Sequence, residues 1–177
     1  MENKRKGAAK KAAICGILCA MCVVLLYLGS VTIFDMSVIV FCAIITMIVK
    51  IEFSGSIYPW LYVAVTGVLA LLLLPSKLLA VEYILIGGIY PIAKAAFEKL
   101  HPVFGWILKI SFIDMMALLE ILVSRFIFVA EDARIDLTVP ALLLATVFAV
   151  LYDIALTMVI SVYILKIRKK IGLKKLF

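Results

Sequence analysis

The sequence lacks the motifs that mark a soluble enzyme. It has no Gly-rich phosphate-binding loop, no dinucleotide-binding fingerprint and no His/Cys/Asp/Glu cluster at metal-ligand spacing. Its single histidine, His101, falls in a predicted loop, so no Ser-His-Asp or Cys-His arrangement is available for nucleophilic catalysis. We therefore expect no enzyme activity, no resident cofactor and no metal site.

Charged residues are also scarce, at 16% of the 177, whereas 67% are hydrophobic and the mean hydropathy is +1.25. These values exclude a soluble globular protein and predict an integral membrane protein in contact with lipid. The net charge of +7 comes from basic residues near the two ends of the chain. That placement is typical of membrane orientation and of attraction to anionic lipid, so we expect no nucleic-acid partner.

The four cysteines do not predict a disulfide framework. Cys15, Cys19 and Cys22 share one face of the first predicted helix, and Cys42 lies in the second. Thiols inside a membrane span usually behave as small buried hydrophobic groups, and that is the role we expect for them.

Apolar runs separated by polar turns predict an all-α fold, a six-helix bundle that spans the membrane as a single domain over residues 1–177. The predicted spans cover residues 12–28, 36–50, 58–74, 80–96, 103–129 and 140–165. The basic segment 166–177 is expected to lie along the inner membrane surface as an amphipathic tail.

Lys and Arg are distributed unevenly between the predicted loops. If the N-terminus is cytoplasmic, one side of the membrane collects the basic residues of both ends, and the other side has only Lys77 and Arg134. The positive-inside tendency then predicts that both termini are cytoplasmic in a multi-pass protein of the cell membrane.

The fourth span is irregular. It contains Gly87-Gly88 and Pro91, which together predict a kink or a break in the helix. Lys94 and Glu98 follow at a spacing of four residues, where the helix is expected to leave the membrane, and so predict an exposed ion pair of modest energy.

Carboxylates at membrane depth are candidates for function, because an unpaired charge there is costly. Asp114 and Asp153 fall near the middle of spans 5 and 6, and Asp114 could pair with Lys109 or with a basic residue on another span. The sequence leaves open whether these groups hold the helices in register, line a ligand cavity or relay a proton.

A second group of polar residues is predicted at the outer side. Asp35 ends the first outer loop, and Glu82 and Tyr83 lie near the start of span 4. We expect these three residues, with Asp114 and Asp153, to bind a small molecule that has a cationic or hydrogen-donating part.

Small residues recur every fourth position in the first span. Ala12, Gly16 and Ala20 stack on one helical face, and Ala9 and Ala13 widen it. Such a face lets another helix approach closely in lipid. It could pack against a helix of the same chain or dock a different membrane protein.

This combination of six spans, cytoplasmic ends and a small-residue face on span 1 resembles the substrate-binding S components of energy-coupling factor (ECF) vitamin transporters. The resemblance covers the whole chain in hydropathy and topology, and its one motif is Ala12, Gly16 and Ala20, with glycine where the family has alanine. It implies a subunit that captures a vitamin-like small molecule at the outer face. It also implies docking through span 1 to a T component, with ATPase subunits as further separate chains.

Two other classes share the same sequence features. One is a structural or scaffolding six-span protein of the cell envelope, which would need no ligand cavity. The other is a proton-coupled carrier that uses Asp114 and Asp153, which would have to face water.

Overall fold

The computed structural model describes residues 2–32, 34–127 and 139–167, and these residues form only helices and their connections. The predicted all-α class is confirmed. The helices are α1 (Glu2–Val31), α2 (Asp35–Glu52), α3 (Tyr58–Leu73), α4 (Lys77–Glu82), α5 (Tyr90–Phe97), α6 (Pro102–Ile127) and α7 (Val139–Val162). Two π-helical segments, Tyr83–Ile89 and Tyr163–Ile167, continue α4 into α5 and extend α7.

Three helical stretches in the described part of the chain are long and apolar enough to cross a membrane. They are Ala9–Val31, Lys77–Phe97 and Thr146–Lys166. Helix α3 is apolar but shorter. Arg134 and most of the predicted amphipathic tail lie outside the described residues.

Helix α4, the π-helical segment Tyr83–Ile89 and α5 form one continuous helical rod, Lys77–Phe97. This rod and the other long helices alternate in direction along the chain. Cys42 contacts Cys22 across the α1–α2 pair, and Lys109 and Asp114 on α6 bond Asp153 and Thr146 on α7 in antiparallel order. One end of the bundle therefore holds the start of α2, and we call it the Asp35 end. The opposite end holds the last residue of α2, and we call it the Glu52 end.

Helix α2 lies at the centre, packed against α1, α3, α5, α7 and the π-helical segment Tyr83–Ile89. Two apolar clusters meet on it. The larger joins α1, α2 and α3 with the α4 region and includes Cys22, Leu26, Val49 and Tyr83. The smaller joins α2, α5, α6 and α7. The core thus has two lobes that meet on α2, and α5 contributes to both, with Ile92 in the larger and Tyr90 in the smaller.

The irregularity predicted from the two glycines and Pro91 takes the form of a π-helical segment, without a break in the rod. A Cβ atom on Gly88 would lie 2.6 Å from Val63 Cγ1, and one on Gly87 would lie 2.8 Å from Tyr83 Cδ2. Because real Cβ contacts are not that short, the two glycines allow this segment to lie directly against α3 and to turn Tyr83 into the core.

The tight connection between α3 and α4 is held by two polar side chains. Ser76 accepts a hydrogen bond from the Leu79 amide at 3.3 Å and so caps the start of α4. The Lys77 ammonium donates to the carbonyls of Leu71 and Leu74, at 2.8 and 2.9 Å, and so satisfies the end of α3. The cation is thereby committed to backbone groups.

Candidate functional site

The most strongly polar feature of the interior is a cluster of charged side chains between α5, α6 and α7, which we call the Asp153 network. The Lys94 ammonium from α5 donates to a carboxylate oxygen of Asp153 on α7. The Lys109 ammonium from α6 lies 3.2 Å from the other oxygen of the same carboxylate. Glu98 completes the network, 3.2 Å from Lys94 and 3.3 Å from Lys109.

Neutral hydroxyl groups supply the remaining hydrogen bonds. Tyr90 donates to Asp153 Oδ1 at 2.5 Å, and Lys94 donates to Thr157 Oγ1 at 2.8 Å. Thr157 in turn donates to the Asp153 carbonyl at 2.8 Å. Every polar group of the Asp153 side chain therefore has a partner, which is the condition under which a buried charge is tolerated.

The two lysines and two carboxylates balance in charge, but they differ in access to solvent. The Lys94 side chain is fully buried, and 4% of the Asp153 side chain is exposed, against 41% of Glu98. The network therefore runs from the closed interior to the surface, with Glu98 at its open side. Attraction between buried ions only offsets the cost of removing them from water when they are well paired, as they are here.

Helical spacing explains why these residues meet. Tyr90, Lys94 and Glu98 follow one another at intervals of four, so they share the face of α5 that contacts α6 and α7. Asp153 and Thr157 have the same spacing on α7. Aromatic rings pack beside these residues, and the Tyr90 ring centroid lies 5.7 Å from that of Tyr152.

A hydrogen bond connects this site to the π-helical segment. The Tyr152 hydroxyl on α7 donates to the carbonyl of Ile86 at 3.0 Å. Ile86 lies within Tyr83–Ile89, where the backbone departs from the α-helical pattern. The π-helical segment and the Asp153 network are therefore both in contact with the same part of α7, since Tyr152 precedes Asp153.

The structure differs from the sequence prediction for Lys94. The predicted pairing with Glu98 is present, but Lys94 is buried between helices, so the prediction of an exposed pair was wrong. The long apolar stem of lysine can lie in the core, while its ammonium reaches Asp153 and Glu98.

Asp114 does not belong to the Asp153 network. It is half-buried on α6 and accepts a hydrogen bond from Thr146 of α7 at 3.4 Å. Lys109, which we considered as its partner, pairs with Asp153 and Glu98 instead. The two mid-span carboxylates thus have separate surroundings.

The residues predicted to bind a ligand at the outer side all lie toward the Asp35 end. Asp35 is exposed, and its carboxylate accepts a hydrogen bond from the Met36 amide at 3.0 Å. Glu82 is buried at the end of α4. Tyr83 is fully buried in the larger apolar cluster, and its hydroxyl makes no hydrogen bond of ordinary geometry with a described residue.

The small-residue face of α1 lies on the outside of the bundle. Ala12, Gly16 and Ala20 are exposed, and no heavy atom lies within 4 Å of the position that a Cβ would take on Gly16. The flanking Ala9 and Ala13 are also exposed. Cys19, Cys22 and Leu26 occupy the buried face. Within the described residues, the strip therefore has no partner helix.

The thiols and their hydroxyl neighbours are part of the core. Cys19, Cys22 and Cys42 are buried, and Thr66 Oγ1 lies 3.2 Å from Cys19 Sγ. In the part of the chain that the structure describes, no group of three or more His, Cys, Asp or Glu side chains is arranged to hold a metal ion.

An apolar groove of about 290 Å³ runs between α2 and α7 toward the Glu52 end. Its lining consists of Ile44, Ile48, Met158, Val159, Val162 and Tyr163. None of the predicted ligand-binding residues lines it.

Sequence reasoning missed Tyr90, Lys94 and Thr157 as parts of a site. The available signal was the interval of four that puts Tyr90, Lys94 and Glu98 on one face of an otherwise apolar segment. A basic residue at that position within a span indicates a partner on another helix.

Comparison with protein-family models, with curated proteins and with solved structures finds no match for this chain. The functional argument therefore depends on the residues and their geometry.

Proposed function

We propose that this chain is a multi-pass subunit of a cell-membrane transporter, with six spans and both termini in the cytoplasm. In this proposal it captures a small molecule at the outer face and docks through α1 to a separate energising module, as ECF S components do. The Asp35 end of the bundle is then the outer end, and the Glu52 end is cytoplasmic. The excess of Lys and Arg in the segments next to the Glu52 end supports this orientation.

The observation that carries the proposal is the exposed strip on α1. Ala12, Gly16 and Ala20 offer little beyond backbone and methyl groups, and the helices that the structure describes leave them uncovered. In lipid, helices associate through such close backbone approach, because no hydrophobic force drives them together. An uncovered strip of this kind favours docking of another protein over packing within the chain.

Gly16→Leu tests this proposal directly. Because nothing lies within 4 Å of a Cβ at that position, the larger side chain fits the isolated bundle and leaves its fold intact. It keeps a partner helix at a distance, so we expect the variant to lose membrane partners that the wild type retains when both are purified from the native host. Native mass spectrometry of the purified material identifies those partners.

Ala64→Leu is the matched control, since Ala64 is an exposed small residue on α3, outside the strip. We expect this control to recover partners as the wild type does. Recovery of the same partners by Gly16→Leu, with a thermal unfolding midpoint like that of the wild type, would contradict the docking function.

The Asp153 network favours a second candidate, a proton-coupled carrier. A carboxylate held by two lysines at membrane depth, with Glu98 as a connection to the surface, is an arrangement in which movement of a proton would release the helices from one another. This candidate uses Asp153 alone of the two predicted carboxylates, because Asp114 is outside the network.

A further inference from the structure

Glu82 is a buried carboxylate that has no counter-ion among the described side chains. Its relative exposure is 8%, and it forms no ion pair or side-chain hydrogen bond with any described residue. It ends α4 at the point where the π-helical segment begins, and it lies far along the rod from the Asp153 network. The Asp153 network therefore does not account for the burial of the Glu82 carboxylate.

Among the described side chains, the charged groups that act electrostatically on Glu82 have the same sign. They are Glu120, which is half-buried on α6, and Asp35 at the start of α2. Helix α4 packs against α6. Lys94 and Lys109 share Asp153, so Glu82 and Glu120, which lie 12 and 11 residues from them along antiparallel helices, fall at the same level of the bundle. The cation on α4, Lys77, is used by the carbonyls at the end of α3.

The Asp153 network, toward the opposite end of the bundle, shows how side chains of this chain neutralise a buried carboxylate. Asp153 has two lysines and a tyrosine hydroxyl, whereas Glu82 has two further carboxylates. A buried carboxylate requires a cation or hydrogen-bond donors. The described residues provide neither to Glu82, since the nearby Lys77 ammonium is bonded to backbone carbonyls.

We propose that Glu82 and Glu120 bind the cationic group of a small organic molecule, either a primary ammonium or an amidinium, with Asp35 as the attracting charge at the rim. The inference rests on the proposed function, since this molecule would be the one captured at the outer face. An organic cation fits better than a metal ion, because the described carboxylates are not gathered closely enough to coordinate one.

The chemistry sets a clear specificity. An ammonium has three N–H donors and can bridge carboxylates that come from two helices, each through a charge-assisted hydrogen bond. A neutral alcohol of the same length lacks the charge, and a carboxylate of the same length is repelled. Binding is therefore selective for the cation and weakens as salt concentration rises.

Calorimetric titration of the purified full chain in detergent tests the inference, with butylammonium and putrescine as probes and with butanol and butyrate as neutral and anionic analogues. We expect the wild type to bind the two amines alone. We expect Glu82→Gln and Glu120→Gln to lose at least about tenfold in affinity, the lower range for one charged hydrogen bond.

Glu52→Gln is the charge-matched control, because Glu52 is a half-buried carboxylate at the opposite end of the bundle. It should bind the amines with wild-type affinity. Glu120 is less buried than Glu82, so its variant keeps the test open if Glu82→Gln does not fold.

Three results would overturn the inference. They are no amine binding by the wild type, amine affinity in both glutamine variants equal to that of the wild type, or binding of butanol as tight as that of the amines. The assay uses the isolated chain, so it does not depend on docking. Loss of partners in Gly16→Leu together with absence of amine binding would refute the ligand class and leave the proposed transport subunit standing. Amine binding together with intact partner recovery in Gly16→Leu would refute docking through α1 and leave the cationic ligand class standing.

Discussion

Asp153 is surrounded by donors from two other helices, with Tyr90 and Lys94 on α5 and Lys109 on α6. A single carboxylate therefore joins three of the four helices of the smaller lobe. The arrangement is strong only while every member is present, because removal of one ion leaves the others buried and unpaired. At this scale the structure explains why a charged residue is retained in the middle of an apolar segment.

We expect Asp153→Asn to lower the free energy of unfolding by about 3–5 kcal/mol, since Lys94 and Lys109 lose their shared counter-charge. Denaturant unfolding in detergent measures the loss. Asp114→Asn is the control, because Asp114 accepts one long hydrogen bond of 3.4 Å from Thr146 and should cost much less. Equal losses in the two variants would show that the network has no special role in stability.

The same variant decides the second candidate function. A proton-coupled carrier reconstituted in vesicles should move protons with its substrate, and Asp153→Asn should abolish that flux. Unchanged flux in this variant would exclude Asp153 as the coupling group.

The rod Lys77–Phe97 is the element in which local sequence and tertiary packing depend most on each other. Its π-helical segment turns Tyr83 into the larger lobe and places the Ile86 carbonyl where Tyr152 can donate to it. π-helical segments cost regular hydrogen bonding and are frequent at functional sites. In this chain, the segment separates Glu82, which has no ion-pair partner among the described residues, from Lys94, which pairs with Asp153 and Glu98.

We expect Gly88→Ala to destabilise the protein by about 1–3 kcal/mol, because its Cβ would lie 2.6 Å from Val63 Cγ1 in a packed region. The measurement is the thermal or denaturant unfolding midpoint in detergent. Gly16→Ala is the control: the site is open, and alanine is the better helix former, so its stability should be unchanged or slightly higher. A neutral Gly88→Ala would mean that α3 and the π-helical segment are not in close contact.

At the scale of the whole molecule, charge is segregated along the bundle. Uncompensated carboxylates gather toward the Asp35 end, and the lysines of the Asp153 network lie toward the Glu52 end. The basic residues of both chain ends add to the second side in the proposed topology. In the proposed topology this polarity agrees with the positive-inside tendency, and the carboxylates would lie at the outer face, where they would attract the proposed cationic ligand.

The proposed topology makes a direct prediction: reporter fusions after Phe177 and before Lys4 should both be cytoplasmic. Accessibility labelling of a cysteine at Asp35, in a cysteine-free background, should place that position outside. Labelling of either terminus from the outside would contradict the proposed orientation, and with it the outer location of Glu82.

Periodicity and composition were sufficient for the all-α class, for the positions of the helices and for the irregular rod around Gly87, Gly88 and Pro91. These features are local, because an apolar run, a helix-breaking residue or a small-residue interval acts through neighbours within a few positions along the chain. The small face of α1 could also be recognised in this way, since four-residue spacing alone defines it.

Pairing between helices could not be predicted. Lys94 and Asp153 are 59 residues apart, and local sequence patterns do not indicate which helix packs opposite a buried charge. The sequence left Asp114 and Asp153 equivalent, and it left the strip on α1 either covered or free. Tertiary structure separated the two carboxylates, exposed the strip and gave Glu82 no partner among the described residues, because all of these depend on which helix faces pack together.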